Sequence, residues 1–234
     1  RKKYGIRPDM FLWGMIAANK ENPPRKGFQE ALEAFKLFQD KHPEAGIFFH
    51  TQQVTPTGFP IKQLINELQI KNAFFLDDYK GSFNSRSHDI AEEMNCFDVL
   101  MHPSQTEGFG LTVIEANSCG VPAIVNDTTS MPEMVISGKT GEVCKTDRRR
   151  YTPDGAWIWT ANPESIAECA ERLYQKLHQP NTVAKDCREH ILKNYNIDTL
   201  FETKWKPLFI ELQEELLPKL TEQPKENKMQ EVSV

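Results

Sequence analysis

Apolar residues gather in short, nearly unbroken runs, and between these runs they recur with a helical period. Phe11–Ala17, Gly46–Thr51, Ala73–Leu76, Phe97–Met101 and Pro122–Val125 read as strands buried on both faces. From Phe28 to about Lys41, residues Ala31, Leu32, Phe35, Leu37 and Phe38 form an apolar helix face. Further helices are predicted over Lys62–Gln69, Ser87–Asn95, Leu111–Cys119 and Met131–Ser137. Strands alternating with helices imply an α/β, Rossmann-like parallel sheet with helices on both faces.

The second half reads differently. Lys145–Gly155 contains Arg148, Arg149, Arg150, Pro153 and Gly155 and is expected to be an exposed loop, with a short aromatic strand at Ala156–Thr160. Asn162-Pro163-Glu164 supplies a cap-type residue, a proline and an acid in the order that starts a helix. C-terminal helices are expected over Glu164–His178, Asn181–Tyr195 and Thr199–Leu217. This layout predicts one domain over residues 1–195, a closing helix over 196–217 and a disordered tail over 218–234.

Ligands of parallel sheets bind beyond the carboxyl ends of the strands. Two predicted strand-to-helix loops should open there. The first is Ala17-Ala18-Asn19-Lys20-Glu21-Asn22-Pro23-Pro24-Arg25-Lys26-Gly27-Phe28, which brings three cations together and is stiffened by two prolines. Preorganised cations there would stabilise a diphosphate leaving group as it gains charge. The second is Thr106-Glu107-Gly108-Phe109-Gly110-Leu111-Thr112-Val113-Ile114-Glu115. Here Gly108 and Gly110 permit a sharp bend and close backbone approach. The helix that follows offers free amides around Gly110, Leu111 and Thr112 to a phosphate. Glu115 can accept two hydrogen bonds from a vicinal diol such as a ribose. Glu107 is expected beside the phosphates, where a sugar would lie, with Phe109 next to the ligand.

Each of these residues has a plainer reading: glutamates near a helix start as caps or dipole partners, lysines as solvated charges, Phe109 as core. His50, His88 and His102 read as structural or solvated. Arg148–Arg150 reads as a solvated loop face, the alternative being contact with a phosphate or an anionic membrane surface. Tyr79 could stack on a base, but Asp77-Asp78-Tyr79-Lys80-Gly81 reads equally well as a turn.

Taken together, the glutamate pair, the Lys26-Gly27 element and their framing resemble retaining glycosyltransferases of family 4, with the two-Rossmann-domain GT-B fold. The framing comprises Asp98-Val99-Leu100-Met101-His102-Pro103-Ser104, the run Glu115–Val125, Ser130-Met131-Pro132-Glu133-Met134-Val135, Gly138 and Gly141. The resemblance spans roughly Phe11 to Val143 and covers the nucleotide-sugar-binding half alone. It implies Glu107, Lys26, Arg25 and Lys20 as catalytic residues. It implies Glu115, Gly108, Phe109, Gly110, Leu111, Thr112 and Asn19 as substrate-binding residues. Family members carry an Arg and a Lys six residues apart in the first loop. Here Lys20 stands in the place of that Arg, with Arg25 nearby, which leaves open which of the two makes the second phosphate contact. The donor would be a nucleoside diphosphate sugar, with no other cofactor, and an N-terminal acceptor-binding domain would be missing from this chain.

Rival classes fare worse. A nicotinamide-dependent dehydrogenase should show G-x-G-x-x-G after the first strand, and Ala17–Gly27 does not. A metal-dependent glycosyltransferase should carry Asp-x-Asp after a strand, so no metal is expected. A sugar-nucleotide epimerase on the same fold is nearer, and a nucleotide-sugar-binding module inactive by itself is the non-enzymatic alternative.

Composition adds little to this. The 234 residues carry a net charge of -5, which argues against a large nucleic-acid surface. The apolar run Met10–Ala18 is too short to span a bilayer. Five scattered cysteines without a C-x-x-C pair suggest reduced thiols and a cytoplasmic setting, with peripheral membrane association of the full-length protein as one option. The chain begins at Arg1 without a signal-like segment and reads as a piece of a longer protein.

Overall fold

A computed structural model describes residues 1–53, 55–76 and 87–221. Six strands form one parallel sheet: β1 (Leu12–Ile16), β2 (Gly46–His50), β3 (Ala73–Leu76), β4 (Val99–His102), β5 (Ala123–Asn126) and β6 (Gly141–Cys144). Their spatial order is β3-β2-β1-β4-β5-β6. Gly14 at the centre of β1 pairs with Phe48 of β2 and Leu100 of β4. The chain reverses its direction of travel between β1 and β4, so the loops leaving these two strands part there and leave a crevice.

The helices are α1 (Phe28–Gln39), α2 (Ile61–Glu67), α3 (Ser87–Met94), α4 (Leu111–Ser118), α5 (Pro163–Leu177) and α6 (Val183–Asn194). One core lies where α1, α2 and α5 cover Trp13, Met15, Ile47, Phe49, Val99, Met101 and Ile124. Trp13 is fully buried, with Phe35 and Phe38 of α1 at ring-centroid distances of 5.1 and 5.2 Å. Alternate strand residues Leu12, Phe48 and Leu100 are equally buried on the other face, where α4 packs against β4 and β5. Burial on both faces explains why the strands read as continuous apolar runs. In α1 the buried stripe is Phe28, Ala31, Leu32, Ala34, Phe35 and Phe38, and Leu37, expected on that face, is exposed.

Several expectations need correction. The sixth strand, β6, lies in a segment that had been noted only for its glycines. Met131–Ser137 forms a short 3₁₀ turn over Met131–Met134 rather than a helix. Lys145–Gly155 is no loop: β7 (Thr146–Tyr151) pairs antiparallel with β8 (Trp157–Ala161). The Asp-Arg-Arg-Arg run lacks apolar alternation, and cross-strand pairing holds it instead. Arg149 faces Trp159, Tyr151 faces Trp157, and the Arg149 guanidinium lies 4.3 Å from the Trp157 ring centroid.

Residues Arg1–Leu192 form one compact unit and the chain from Lys193 onward forms a second. In the second unit, α7 (Ile197–Leu200), a π-helical turn (Phe201–Trp205) and α8 (Lys206–Thr221) replace the single predicted helix. The backbone of α8 runs past Pro218 to Thr221, so the expected tail does not begin at 218. Phe201, Trp205, Phe209 and Ile210 of this unit are exposed. Residues 222–234, the remainder of the expected tail, and the Asp77–Gly81 segment with Tyr79 lie outside the described residues.

Candidate functional site

The loops after β1 and β4 meet at the crevice. Lys26, in the first, donates a hydrogen bond to Glu107 Oε1, in the second. Arg25 Nη1 lies 3.7 Å from the same oxygen and donates to the Thr106 carbonyl at 3.1 Å, while its Nε pairs with Glu21 at 3.0 Å. His102, the last residue of β4, brings Nε2 to 3.4 Å from Glu107 Oε1. That distance is within ion-pair range, but the ring N–H is not aligned for a hydrogen bond. Burial alone would raise the Glu107 pKa. His102 and Lys26 more than offset it, and hold the carboxyl well below the usual carboxylate range.

Backbone details explain why the loops stay together. Gln105 N–H donates to the Arg25 carbonyl at 2.7 Å, and Ser104 Oγ lies 3.2 and 3.1 Å from the carbonyls of Arg25 and Thr106. Behind β5, Ser130 Oγ is 3.2 and 3.0 Å from the carbonyls of Glu107 and Phe109, and Thr129 Oγ1 accepts from the Glu107 N–H at 3.2 Å. Thr129 adopts φ of 52°, which is strained for a β-branched residue. The hairpin braces the same loop from outside. Arg150 Nε donates to Gln105 Oε1 at 3.1 Å, and Asn126 Nδ2 donates to the carbonyls of Ser104 and Trp159. Arg150 is therefore a strut of the site loop, while Arg148 and Arg149 keep the exposed character predicted for all three arginines.

Gly110 precedes α4 with φ of 102° and lies close enough to Met131 that a side chain there would collide with it. Gly108 needs no such conformation, and the space beside its Cα is open. No side-chain hydrogen bond caps α4, which leaves its first amides a candidate place for an anion. The helix buries Val113, Ala116 and Asn117. Leu111 is two-thirds exposed at 66 %, and Phe109 and Glu115 are exposed in good part. Burial raises the Glu115 pKa, and among the described residues its carboxylate has no ion-pair partner.

The predicted residues thus divide. Lys26, Arg25 and Glu107 come together, and Phe109, Gly110, Leu111, Thr112 and Glu115 follow on the same loop and helix. Lys20 is exposed and, among the described residues, makes no side-chain contact with them. Asn19 is buried, and its amide is used inside the protein: Nδ2 donates to the carbonyls of Gln52 and Phe59, and Oδ1 accepts from the Phe59 N–H. It ties the β1–α1 loop to the β2–α2 loop. His102 is the residue that the sequence reading undervalued; its place at the end of a buried strand, five residues before Glu107, was the available signal. His50 pairs with buried Glu93 at 2.7 Å, in keeping with a structural role.

Residues 19–150 match the family described as Glycosyl transferases group 1. The chain belongs to this family. The match runs from the β1–α1 loop to the edge of the hairpin, and it contains every charged residue that meets at the crevice. Among curated relatives, N-acetyl-alpha-D-glucosaminyl L-malate synthase of Bacillus anthracis is 27% identical over 53% of this chain and 31% of its own length. Sulfoquinovosyl transferase SQD2 of Arabidopsis thaliana is 27% identical over 72% of this chain and 29% of its own. The chain spans less than half the length of these relatives. The C-terminal domain of LpcC, a group 1 glycosyl transferase from Francisella tularensis, shares the fold with a TM-score of 0.64 at 18% identity, covering 84% of this chain and 91% of that one. Anabaena HepE, solved with UDP-glucose, has a TM-score of 0.67 at 18% identity over 89% of this chain and 50% of its own. The group 1 domain described here is accordingly a Rossmann-like half of a GT-B architecture. Among the described residues, no group of three or more His, Cys, Asp or Glu is arranged to hold a metal, and no helix is long and apolar enough to cross a membrane.

Proposed function

We propose that this chain is the donor-binding half of a retaining glycosyltransferase of family 4, which moves a sugar from a nucleoside diphosphate to an acceptor held by another domain. The observation that carries the reading is the meeting of Lys26, Arg25 and Glu107 beside the uncapped start of α4, at the crevice between β1 and β4. Cations and helix amides on one side bind phosphate; carboxylates on the other bind hydroxyls. Lys26 and Arg25 would neutralise the diphosphate as the bond from the anomeric carbon to the phosphate oxygen breaks. The amides of Leu111 and Thr112 would take a phosphate oxygen, Glu115 the ribose diol and Glu107 the donor sugar hydroxyls. Attack by the acceptor on the face from which the diphosphate departs would preserve anomeric configuration.

Arg25 is our choice for the second phosphate contact, because it already lies 3.7 Å from Glu107 while Lys20 stays in solvent. HepE, a neighbour of the same fold, was solved with UDP-glucose, which makes that compound the first donor to try. The test is a thermal-shift panel of nucleoside diphosphates and their sugars against this chain. Stabilisation by a nucleoside diphosphate and its sugar, lost in Lys26→Ala, is the expected result. No stabilisation by any member of the panel would refute the reading.

A further inference from the structure

We propose that His102 is a positioning residue of the donor site, taking over Glu107 as its hydrogen-bond donor when a diphosphate draws Lys26 and Arg25 away. This rests on the donor-site reading above and adds a residue and an order of events to it.

Three cationic or potentially cationic groups crowd one oxygen. Lys26, Arg25 at 3.7 Å and His102 at 3.4 Å all address Glu107 Oε1. Lys26 alone donates a hydrogen bond to that oxygen; Arg25 bonds the Thr106 carbonyl and Glu21 instead, and the His102 ring is not aligned to donate. The residue is 4% exposed, and Nε2 is buried without an aligned acceptor. A buried nitrogen without an aligned acceptor is costly, and the nearest acceptor to this one is Glu107 Oε1.

A diphosphate frees that acceptor. It carries more charge than a carboxylate and competes for both Lys26 and Arg25. Once they turn to it, Glu107 loses two partners while remaining half-buried. His102 needs only a small reorientation to donate to Oε1, which leaves Oε2 to accept from a sugar hydroxyl. The charged groups around His102 are Glu107, from the loop after its own strand, and Lys26 and Arg25 from the β1–α1 loop, with Glu21 behind Arg25. At rest Glu107 holds the two cations in place, and at work His102 holds Glu107.

Calorimetry on this chain tests the exchange, with inorganic pyrophosphate, UDP and UDP-glucose as probes. The wild type should prefer UDP-glucose to UDP. His102→Gln, which still donates a hydrogen bond, should keep the preference. His102→Phe should reduce the preference roughly tenfold, while its binding of pyrophosphate shows that the variant is folded. An unchanged preference in His102→Phe would overturn the role of His102 and leave the donor site standing. A wild-type chain that binds neither pyrophosphate nor UDP would overturn the donor-site reading and this inference together.

Discussion

Gly27 lies so close to Pro103 that a Cβ on it would sit 2.3 Å from the Pro103 carbonyl oxygen, and its φ of 72° is one that side chains rarely adopt. The loops after β1 and β4 touch at this point, directly beside the Lys26–Glu107 pair. Gly27→Ala meets both obstacles at once, since the atom in the way is backbone and cannot rotate aside. We expect a loss of about 2 kcal/mol or more in stability, measured by urea unfolding, together with weaker nucleoside diphosphate binding. A variant as stable as the wild type would show that the two loops are not rigidly seated.

Glu115 offers a carboxylate without an ion-pair partner among the described residues, on the outer side of the helix whose N-terminus is the candidate phosphate site. Glu115→Gln keeps the volume and converts half of the acceptor capacity to a donor. Nucleoside diphosphate affinity should fall by about 1.5–3 kcal/mol if the residue holds a ribose diol. Unchanged calorimetric affinity in the folded variant would remove Glu115 from the site.

Phosphate and sugar recognition separate in the pair Lys26 and Glu107. Lys26→Ala should weaken nucleoside diphosphates and their sugars alike and leave a plain nucleoside unaffected. Glu107→Gln should spare the free diphosphate and weaken the sugar conjugate. Equal losses for both ligands in both variants would contradict the division of roles.

The same carboxylate gives a pH signature in the ligand-free protein. The folded Glu107 pKa is depressed, chiefly because Lys26 and His102 overcome the burial that would raise it. A depressed carboxylate contributes stability above its unfolded pKa of about 4.3 and loses it as pH falls toward the folded value. The stability gap between wild type and Glu107→Gln should therefore be constant near neutrality and shrink below about pH 4. Chemical unfolding of both proteins across that range checks it; a gap that widens in acid contradicts the pairing.

Transfer is a different matter from binding. The chain spans less than half of its curated relatives, and acceptor positioning can contribute several kcal/mol to lowering a barrier. We expect this chain to bind donor yet transfer sugar poorly beside a longer polypeptide that contains it. Comparable turnover by both, with one donor and one acceptor, would show that the acceptor site lies within these residues.

Read by itself, the sequence determined the sheet and its ligand edge. Five of the six parallel strands are short apolar runs because β1, β2, β4 and β5 are buried on both faces and the edge strand β3 is partly so, and that burial is written in composition alone. The positions of Lys26, Glu107 and Glu115 followed, because strand-to-helix loops of a parallel sheet open on one edge. Tertiary structure decided what depends on distant partners. β7 became a strand because Arg149 and Tyr151 found Trp159 and Trp157 across the hairpin, and Arg150 became a strut because Gln105 waits 45 positions away. Of the two cations that the sequence left open, Arg25 lies beside Glu107 and Lys20 stays exposed, and Asn19 turned inward to hold a neighbouring loop. His102 looked like any histidine at the end of a strand until the fold set its Nε2 against Glu107. Local patterns report burial and periodicity, since those act along the chain. Which charge meets which is settled only when loops that are separate in sequence close on the same crevice.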